Sequence, residues 1–433
     1  MHIALLSAEY PPRPGGVGDY TRRLGEALVA RGHNISVLTI FDFRLQILDL
    51  GLTETTQKSK IKNQKSDWGW RCWPVVIAAL DELRPDILHI QYQTGAYGMH
   101  PAINLLPWRL RHMPGRPRIA VTAHDLLPPY LFPKAGPLRG WVTRRLLADA
   151  EAVVVTNEND FVEVMRLGMS DWRLEAARQS LISNLQSPVL IPIGSNIPVA
   201  PPPGYERAAW RGRLGLAADD ILIGYFGLIS RSKGLDVLLD ALARLPERFR
   251  LLVIGGAATL PEDRAYAAEI ERQLDERRLR GRVIFTGHCA EAEVSAHMLA
   301  ADMAALPFAD GASFRRGSLL ATLAHGVPTV TTIDDRRPTT DDRAGSLAIR
   351  GRWSVVGGRL VDSENVLLVP PGDAGALAAA LERLAEDAAL RERLGTGGRA
   401  LATQFSWERI AEQHEALYRD LIATARPSTS ARR

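Results

Sequence analysis

Residues 2–40 read "HIALLSAEYPPRPGGVGDYTRRLGEALVARGHNISVLTI". A short apolar run begins at Ile3 and is typical of a buried strand. Apolar residues then recur at helical spacing from Tyr20, and Gly32 ends this helix before a second apolar run begins at Ile35. Parallel strands need such a helical crossover between them. The segment therefore predicts one strand–helix–strand unit of a doubly wound α/β domain.

The same pattern recurs along the rest of the chain. Continuous apolar runs separated by helical patterns indicate parallel strands that are covered on both faces. We therefore predict two Rossmann-like, doubly wound parallel-sheet domains that face a central cleft. The further predicted strands are "DILHI", "RIAVTA", "AVVVT", "VLIPI", "ILIGYF", "RLLVIG", "RVIFTG", "DMAALP", "PTVTT" and "NVLLVP".

A proline-rich segment, "NIPVAPPPGYERAAW", interrupts this pattern, because its prolines continue neither a strand nor a helix. We predict a linker at residues 198–206, between an N-terminal domain at 1–197 and a C-terminal domain at 207–404. The polar stretch "TETTQKSKIKNQKSDWGW" has no periodicity and predicts a mobile loop over the first domain. Residues 425–433 predict a disordered tail.

The composition is that of a soluble globular protein. The 433 residues are 46% hydrophobic and 24% charged, which is enough chain for two domains. The first apolar run is too short for a signal peptide, and no stretch approaches the roughly 20 apolar residues that span a bilayer. Two cysteines are too few for a disulfide framework or a zinc site. We expect a cytoplasmic protein.

The formal net charge is +4, and basic residues are concentrated in one region. Some of them stand beside apolar residues in "LLPWRLRHM" and "PLRGWVTRRLL", a mixture that suits peripheral contact with an anionic membrane. A solvated basic face explains the same residues. Nucleic-acid binding is not expected, because no series of aromatic residues accompanies the charge. Between Ile87 and Ala148 the one acid, Asp125, stands against Arg109, Arg111, Arg116, Arg118, Lys134, Arg139, Arg144 and Arg145.

Two candidate binding elements lie in the first predicted domain. Gly15 and Gly16 fall between the first strand and its helix, where their N–H groups can meet a diphosphate at a helix N-terminus. A tight structural turn is the alternative, because the match to G-x-G-x-x-G is poor. His124 follows the strand in "VTAHD", where it can bond a substrate hydroxyl or shuttle a proton. A structural histidine is the alternative there.

Two basic elements lie in the second predicted domain. Lys233 stands in the loop between the strand "ILIGYF" and an apolar helix, in a place where its ammonium can meet a phosphate. Arg315 and Arg316 precede a short helix in "DGASFRRGSLLATLAHGVPTVTT", with Gly317 next and Ser318 as the predicted N-cap. Guanidinium groups beside free helix N–H groups make a phosphate site. Solvent-facing lysine and arginine side chains are the alternative.

In this order along two Rossmann-like halves, these features resemble the family 4 glycosyltransferases, retaining enzymes of the two-domain GT-B fold that use nucleotide-sugar donors. The resemblance covers nearly the whole chain. Its last segment is similar to the helix that leaves the second domain and packs back on the first, here residues 405–424. The segments are "YPPRPGGVGDYTRRLGEALVARGH", "RPDILHIQYQ", "VTAHD", "VLIPIGSNI", "KGLDVLLDAL", "RVIFTGH", "AHGVPTVTT", "LLVPPGDAGALAAAL" and "FSWERIAEQHEALY".

The chain departs from the family pattern at two places. Members usually have an arginine after the glycine that ends the second domain's first strand, and here Leu228 follows Gly227. Members also have two glutamates with seven residues between them, the second of which binds the donor ribose. A gap-free alignment puts Ser313 and Ala321 there, whereas a loop insertion makes Asp310 the first acid, which we prefer. In that alignment Arg316 or its neighbour compensates for Leu228.

The resemblance implies a retaining, metal-independent transferase that moves a sugar from a nucleotide sugar to a glycan, lipid or small-molecule acceptor. No cofactor and no metal site are expected. A catalytically silent nucleotide-sugar-binding protein and a sugar-nucleotide epimerase are the alternatives. The predicted catalytic residues are His124, Lys233 and Asp310; the donor contacts are Gly15, Gly16, Gly227, Lys233, Arg315, Arg316, Gly317 and Ser318; and the acceptor contacts are Gln91, Tyr92 and Tyr97.

Overall fold

The computed structural model describes residues 1–13, 15–41, 44–50, 60–65, 67–126, 137–170, 188–256, 261–333 and 359–424. These residues form two compact units. The first unit contains residues up to Ile193 and those from Trp407 onward, and the second begins at Gly194 and ends at Ser406. The predicted linker at 198–206 therefore lies in the second unit, where Ala200 N–H donates to Ser295 Oγ. The predicted tail at 425–433 lies outside the described residues.

The first unit is an eight-stranded sheet in the order β4-β3-β2-β1-β5-β6-β7-β8. Adjacent strands are parallel except for the pairs β2–β3 and β3–β4, so the sheet is a doubly wound one with an antiparallel edge. Its elements are β1 (His2–Ser7), α1 (Gly16–Ala30), β2 (Asn34–Phe41), β3 (Arg44–Leu50), β4 (Lys60–Lys65), α2 (Cys72–Leu83), β5 (Ile87–Tyr92), α3 (Leu106–Leu110), β6 (Arg118–Ala123), α4 (Pro137–Asp149), β7 (Ala152–Val155), α5 (Glu158–Ser170) and β8 (Val189–Leu190).

The second unit is a six-stranded, wholly parallel sheet in the order β11-β10-β9-β12-β13-β14. Its strands are short and mostly buried, as the apolar runs predicted, except for the edge strand β11, in which no residue is buried. Its elements are α6 (Arg207–Arg213), β9 (Ile221–Phe226), α7 (Leu235–Leu242), β10 (Phe249–Ile254), α8 (Pro261–Glu276), β11 (Val283–Gly287), α9 (Glu291–Ala300), β12 (Met303–Leu306), α10 (Gly317–Ala324), β13 (Thr329–Thr332), β14 (Leu367–Val369), α11 (Ala374–Glu386) and α12 (Ala388–Ala402).

The last helix, α13 (Trp407–Ala423), belongs to the first unit and packs beside α1. Its apolar face, with Ile410 and Leu417, joins Leu24 and Leu28 of α1 in one buried cluster. Both helices cover the same face of the sheet, because this cluster also contains Ile3 from β1. None of the helices in the described part of the chain is both long and apolar enough to span a membrane.

The structure corrects one prediction about the first unit. The polar stretch predicted as a mobile loop contains β4, which pairs with β3 at the edge of the sheet. Strand β3 itself was not predicted, although Leu45 and Ile47 alternate with polar residues and are buried in the core. Gln46 and Asp49 interrupt the apolar residues of β3, so this strand lacks the continuous apolar run that is typical of a parallel strand covered on both faces.

Candidate functional site

In the second unit, the loops after β9 and β12 lie side by side. Because β9 has β10 on one side and β12 on the other, the winding reverses there, and doubly wound sheets bind ligands at that point. Ala309 N–H donates to Ser232 O at 3.1 Å, which ties the two loops together. Gly234 has a φ of 67°, and a Cβ on it would collide with the Pro307 carbonyl oxygen. Only glycine permits this close approach.

Lys233 ends the short helical turn Arg231–Lys233 at this edge of the sheet. Its ammonium lies directly over Gly227, where a Cβ would collide with Lys233 Nζ. Gly227 has a φ of 135°, which side-chain-bearing residues rarely adopt. Burial, and secondarily the positive charge of Arg316, lower the pKa of Lys233 to about 8. Lys233 is therefore a mostly protonated cation at pH 7 whose proton is held less firmly than usual.

Arg316 lies close enough to Lys233 to affect its pKa, and it has its own partners. Its guanidinium forms an ion pair with Asp310 and lies 4.5 Å from the ring centroid of Phe308. The neighbouring Arg315 is exposed. The structure thus assigns the two adjacent arginines different surroundings: Arg316 lies beside the lysine, and Arg315 faces solvent.

Helix α10 begins two residues earlier than predicted, because its N-cap is Arg316 rather than Ser318. The first amide that bonds to the Arg316 carbonyl is that of Leu319, so the amides of Gly317 and Ser318 precede the hydrogen-bond ladder of the helix. The Ser318 hydroxyl is buried and has no hydrogen-bond partner among the described residues. The start of α10 therefore offers an anion or a hydroxyl group several donors.

The two departures from the family pattern are visible in the structure. Leu228, at the place of the usual arginine, has 53% of its surface exposed although it is apolar. Ala321, at the place of the ribose-binding glutamate in the gap-free alignment, is fully buried. Ser318 precedes Ala321 by three residues and so lies on the same side of the helix, one turn earlier. Thr322, next to Ala321, donates its hydroxyl to the Leu319 carbonyl, whereas the Ser318 hydroxyl has no partner among the described residues.

In the first unit, the glycine loop predicted to bind phosphate faces a carboxylate of the same unit. Glu9 accepts a hydrogen bond from the amide of Val17, in the first turn of α1. A Cβ on Gly15 would collide with this carboxylate, whereas a Cβ on Gly16 would meet no atom within 4 Å. Burial, opposed by this hydrogen bond, raises the pKa of Glu9. An anion that reached Gly15 would therefore have to displace or neutralise Glu9.

His124 follows β6 and meets Gln91 at the end of the neighbouring strand β5. Its Nε2 lies 3.0 Å from Gln91 Oε1, which can only accept, so Nε2–H donates and Nδ1 remains an acceptor. Burial, and secondarily the charge of His414, lower the pKa of His124 to about 3. His124 is therefore neutral at pH 7, with one ring nitrogen able to accept a bond from a hydroxyl group. The Gln91 side-chain nitrogen is buried without a partner among the described residues.

A buried polar network behind His124 was not predicted. Tyr20 packs edge to face against His124, and its hydroxyl lies 3.5 Å from His414 Nε2. His414 Nδ1 lies 2.8 Å from the Ile410 carbonyl and so carries the proton, which makes Tyr20 the donor to Nε2. The helical spacing of Tyr20 predicts this residue only as part of the apolar face of α1. Its spacing was correct, but spacing does not reveal where a hydroxyl group finds its partner.

The structure corrects two of the predicted acceptor contacts. Tyr92 and Tyr97 are each 1% exposed and belong to the hydrophobic core of the first unit. The Tyr97 hydroxyl donates to the Leu6 carbonyl, and the Tyr92 hydroxyl accepts from Asn104 Nδ2 at 2.7 Å. Neither ring is presented to a ligand, because both rings are buried in the core and their hydroxyl groups already have partners inside the protein. Among the described residues, no group of three or more His, Cys, Asp or Glu side chains is placed to hold a metal ion.

His124, Lys233 and Arg316 lie within the sequence ranges that two family models match. The model for the glycosyl transferase 4-like domain matches residues 15–184, and the model for glycosyl transferases group 1 matches residues 220–387. The two ranges together cover more than half of the chain. The chain belongs to this glycosyltransferase family.

Curated relatives agree with this assignment. The D-inositol 3-phosphate glycosyltransferase of Xylanimonas cellulosilytica is 29% identical over 270 residues, which are 62% of this chain and 56% of the relative. The corresponding enzyme of Kineococcus radiotolerans is 33% identical over 54% of this chain and 52% of that protein. The chain thus matches about half the length of these relatives.

The fold is that of GT-B glycosyltransferases, as predicted. Sucrose-phosphate synthase from Thermosynechococcus elongatus superimposes with a TM-score of 0.68 at 23% identity, over 98% of this chain and 100% of that one. The Anabaena protein HepE, solved in complex with UDP, gives a TM-score of 0.64 at 18% identity, over 97% of this chain and 100% of the other.

Proposed function

We propose that the chain is a retaining glycosyltransferase that takes a sugar from a nucleotide-sugar donor. The observation that carries this proposal is the position of Lys233 over Gly227, together with Arg316, whose charge lowers the Lys233 pKa and which is the N-cap of α10. These groups gather positive charge at the edge of the sheet where doubly wound domains bind nucleotides. The UDP bound in the HepE structure supports a nucleoside diphosphate as the ligand.

The proposed reaction breaks the bond between the sugar's anomeric carbon and the diphosphate oxygen. Negative charge accumulates on the leaving diphosphate, while the sugar passes through an oxocarbenium-like state. Fixed donors aimed at such charge each contribute about 3–4 kcal/mol in favourable cases. Lys233, Arg316 and the α10 amides can supply this stabilisation directly, so we propose that the reaction needs no divalent cation.

We propose that His124 orients the reacting sugar. Its pKa of about 3 keeps the ring neutral, so Nδ1 can accept a hydrogen bond from a sugar hydroxyl throughout the physiological pH range. The side-chain oxygen of Gln91, Oε1, accepts a hydrogen bond from His124 Nε2–H and so determines which tautomer of His124 is present. Asp310, which was predicted as catalytic, forms an ion pair with Arg316. We propose that it positions this arginine.

For the acceptor we propose a carbohydrate or a lipid-linked glycan at an anionic membrane surface, with the protein in the cytoplasm. Several curated relatives carry the name D-inositol 3-phosphate glycosyltransferase, which supports a hydroxyl-rich acceptor. Leu228 and Ala321 favour a second candidate, a silent protein that binds nucleotide sugars without turnover, because neither side chain can provide the family's charged contacts.

A nucleotide panel tests the proposal. Thermal unfolding with UDP, GDP and ADP and their sugar conjugates should show one stabilising set, because a ligand at about 100 times its Kd adds about 2.7 kcal/mol. Lys233→Ala should abolish the shift, whereas Arg231→Ala, two residues away, exposed and paired with Glu269, should retain it. Donor hydrolysis or transfer with the same nucleotide supports the enzyme. Tight binding without turnover identifies a silent protein, and conversion of donor alone to an epimer identifies an epimerase.

A further inference from the structure

Helices α3 and α4 of the first unit pack against each other and expose aromatic and basic side chains together. On α3 and the turn after it, Trp108 has 42% of its surface exposed, and Arg109 and His112 are exposed as well. On α4, Trp141 has 48% of its surface exposed, and Arg144 is exposed beside it. We call these five residues the α3–α4 surface.

The layer below this surface keeps its charges paired. Arg111 and Arg145 contact the carboxylate of the buried Asp149 at 2.9 and 2.7 Å. The Arg145 guanidinium also lies 5.9 Å from the ring of Trp141 and supports that ring from inside the protein. No acidic side chain is exposed among the described residues of 106–149. The exposed side chains described on this surface are therefore aromatic or basic, and the Trp141 ring rests on the Arg145 guanidinium.

We propose that the α3–α4 surface docks on an anionic lipid membrane. Tryptophan favours the headgroup region of a bilayer, where its apolar ring is buried and its N–H finds an acceptor. Exposed arginines beside it can pair with lipid phosphates, and anionic lipids attract them further. This proposal rests on the proposed function in one respect: a lipid-linked acceptor is the reason for the protein to bind a membrane.

The composition of the surface favours a lipid partner over a protein. Protein interfaces are also rich in tryptophan and arginine, but they centre on a buried apolar patch, and no leucine, isoleucine, valine or methionine is exposed among the described residues of 106–149. Here each exposed indole has an arginine next to it or one helical turn away: Arg109 follows Trp108, and Arg144 lies three residues after Trp141. This alternation of rings and cations matches the mixed polar and apolar layer of lipid headgroups.

Co-sedimentation with vesicles tests the surface without any sugar transfer. The probes are vesicles of phosphatidylcholine alone and vesicles in which about one third of the lipid is phosphatidylglycerol. The full chain should bind the anionic vesicles at low salt and bind the neutral vesicles at least about tenfold more weakly. Added salt shortens the Debye length and should release the protein from the anionic vesicles. The double variants Trp108→Ala/Trp141→Ala and Arg109→Glu/Arg144→Glu should each lose about tenfold or more in affinity.

Matched controls separate a local effect from a general one. Trp70→Ala removes a tryptophan of similar exposure that packs on Trp73 instead, and Arg166→Glu reverses a charge on α5. Both should bind vesicles like the wild type. Equal binding to neutral vesicles, absence of binding at low salt, or unchanged binding by both double variants would overturn the proposal. Nucleotide-induced stabilisation should persist in the double variants and vesicle binding in Lys233→Ala, so the two proposals can fail separately.

Discussion

The rings of Tyr20 and His124 meet edge to face with their centroids 4.7 Å apart. Tyr20 is held in turn by helix α13, through the His414 nitrogen and the ring of Trp407 at 5.2 Å. The orientation of His124 thus depends on a helix nearly 300 residues further along the chain. A substitution of Tyr20 can therefore disturb the position of His124 without removing the group that would contact a ligand.

We expect Tyr20→Ala to lower kcat about tenfold or more and to leave the KM for the donor nearly unchanged, because small displacements of a reacting group are costly. Tyr20→Phe keeps the ring and should retain most activity. The NMR titration of His124 gives an independent measurement: its pKa of about 3 should rise towards about 6.5 in Tyr20→Ala, as water enters. An unchanged kcat or an unchanged His124 pKa in the alanine variant would contradict the positioning role.

Buried neutral histidines should make the first unit sensitive to acid. Burial lowers the pKa of His124 to about 3 and that of His414 to about 4, and it holds the pKa of His89 well below its usual range. The unfolded chain, with histidine pKa values near about 6.5, binds more protons below that pH, so the free energy of unfolding falls as the pH drops from about 6.5 towards 4. Each histidine contributes up to about 1.4 kcal/mol per pH unit.

Urea unfolding between pH 8 and pH 5 measures this dependence, with the pH values chosen to bracket the histidine pKa of about 6.5. His414→Gln should be less stable than the wild type at pH 8 but should lose less stability on acidification. His112→Gln, at an exposed histidine, should keep the wild-type slope. Equal slopes in the wild type and His414→Gln would show that His414 does not contribute to the acid sensitivity.

The sequence predicted the parallel strands well, because a strand buried on both faces must be apolar along its whole length. Strand β3 was missed because Gln46 and Asp49 interrupt its apolar residues, of which only Leu45 and Ile47 are fully buried. The site was predicted less completely than the fold. Lys233 could be located from its place in a strand–helix loop, whereas the role of Glu9 depends on a turn that brings it back to α1. Tyr92 was assigned to the acceptor because residue type alone does not reveal burial.

We expect Glu9→Gln to strengthen nucleotide binding if Gly15 approaches the diphosphate. The Glu9 carboxylate competes for the first amides of α1 and repels a phosphate, and glutamine keeps the size without the charge. Because burial raises the Glu9 pKa, the advantage of the variant should shrink as the pH falls and the wild-type carboxyl becomes protonated. Calorimetric Kd values for the nucleotide found in the panel provide the measurement. Glu26→Gln, on the exposed side of α1, is the control.

The effect of Arg316 on Lys233 predicts how nucleotide affinity depends on pH. Nucleotide affinity should fall above about pH 8 as Lys233 loses its proton, since a phosphate binds the charged form. Arg316→Ala removes the like charge that lowers the Lys233 pKa, so the midpoint of this decline should move to higher pH, while affinity at pH 7 falls about tenfold or more. Arg315→Ala, at the exposed neighbour, should leave the midpoint in place. The same midpoint in the wild type, Arg316→Ala and Arg315→Ala would show that Arg316 does not lower the Lys233 pKa.

The buried Ser318 hydroxyl has no partner among the described residues, and a bound ribose would provide one. Leaving a buried polar group unpaired costs about 1–3 kcal/mol, so Ser318→Ala should leave the protein without nucleotide as stable as the wild type or more so. The same variant should bind the nucleoside diphosphate several-fold more weakly. A 2′,3′-dideoxy nucleotide decides the cause: if Ser318 contacts the ribose, the wild type loses affinity for this analogue and Ser318→Ala does not. Equal losses in both proteins would place the ribose elsewhere and leave the missing glutamate at Ala321 without a substitute on α10.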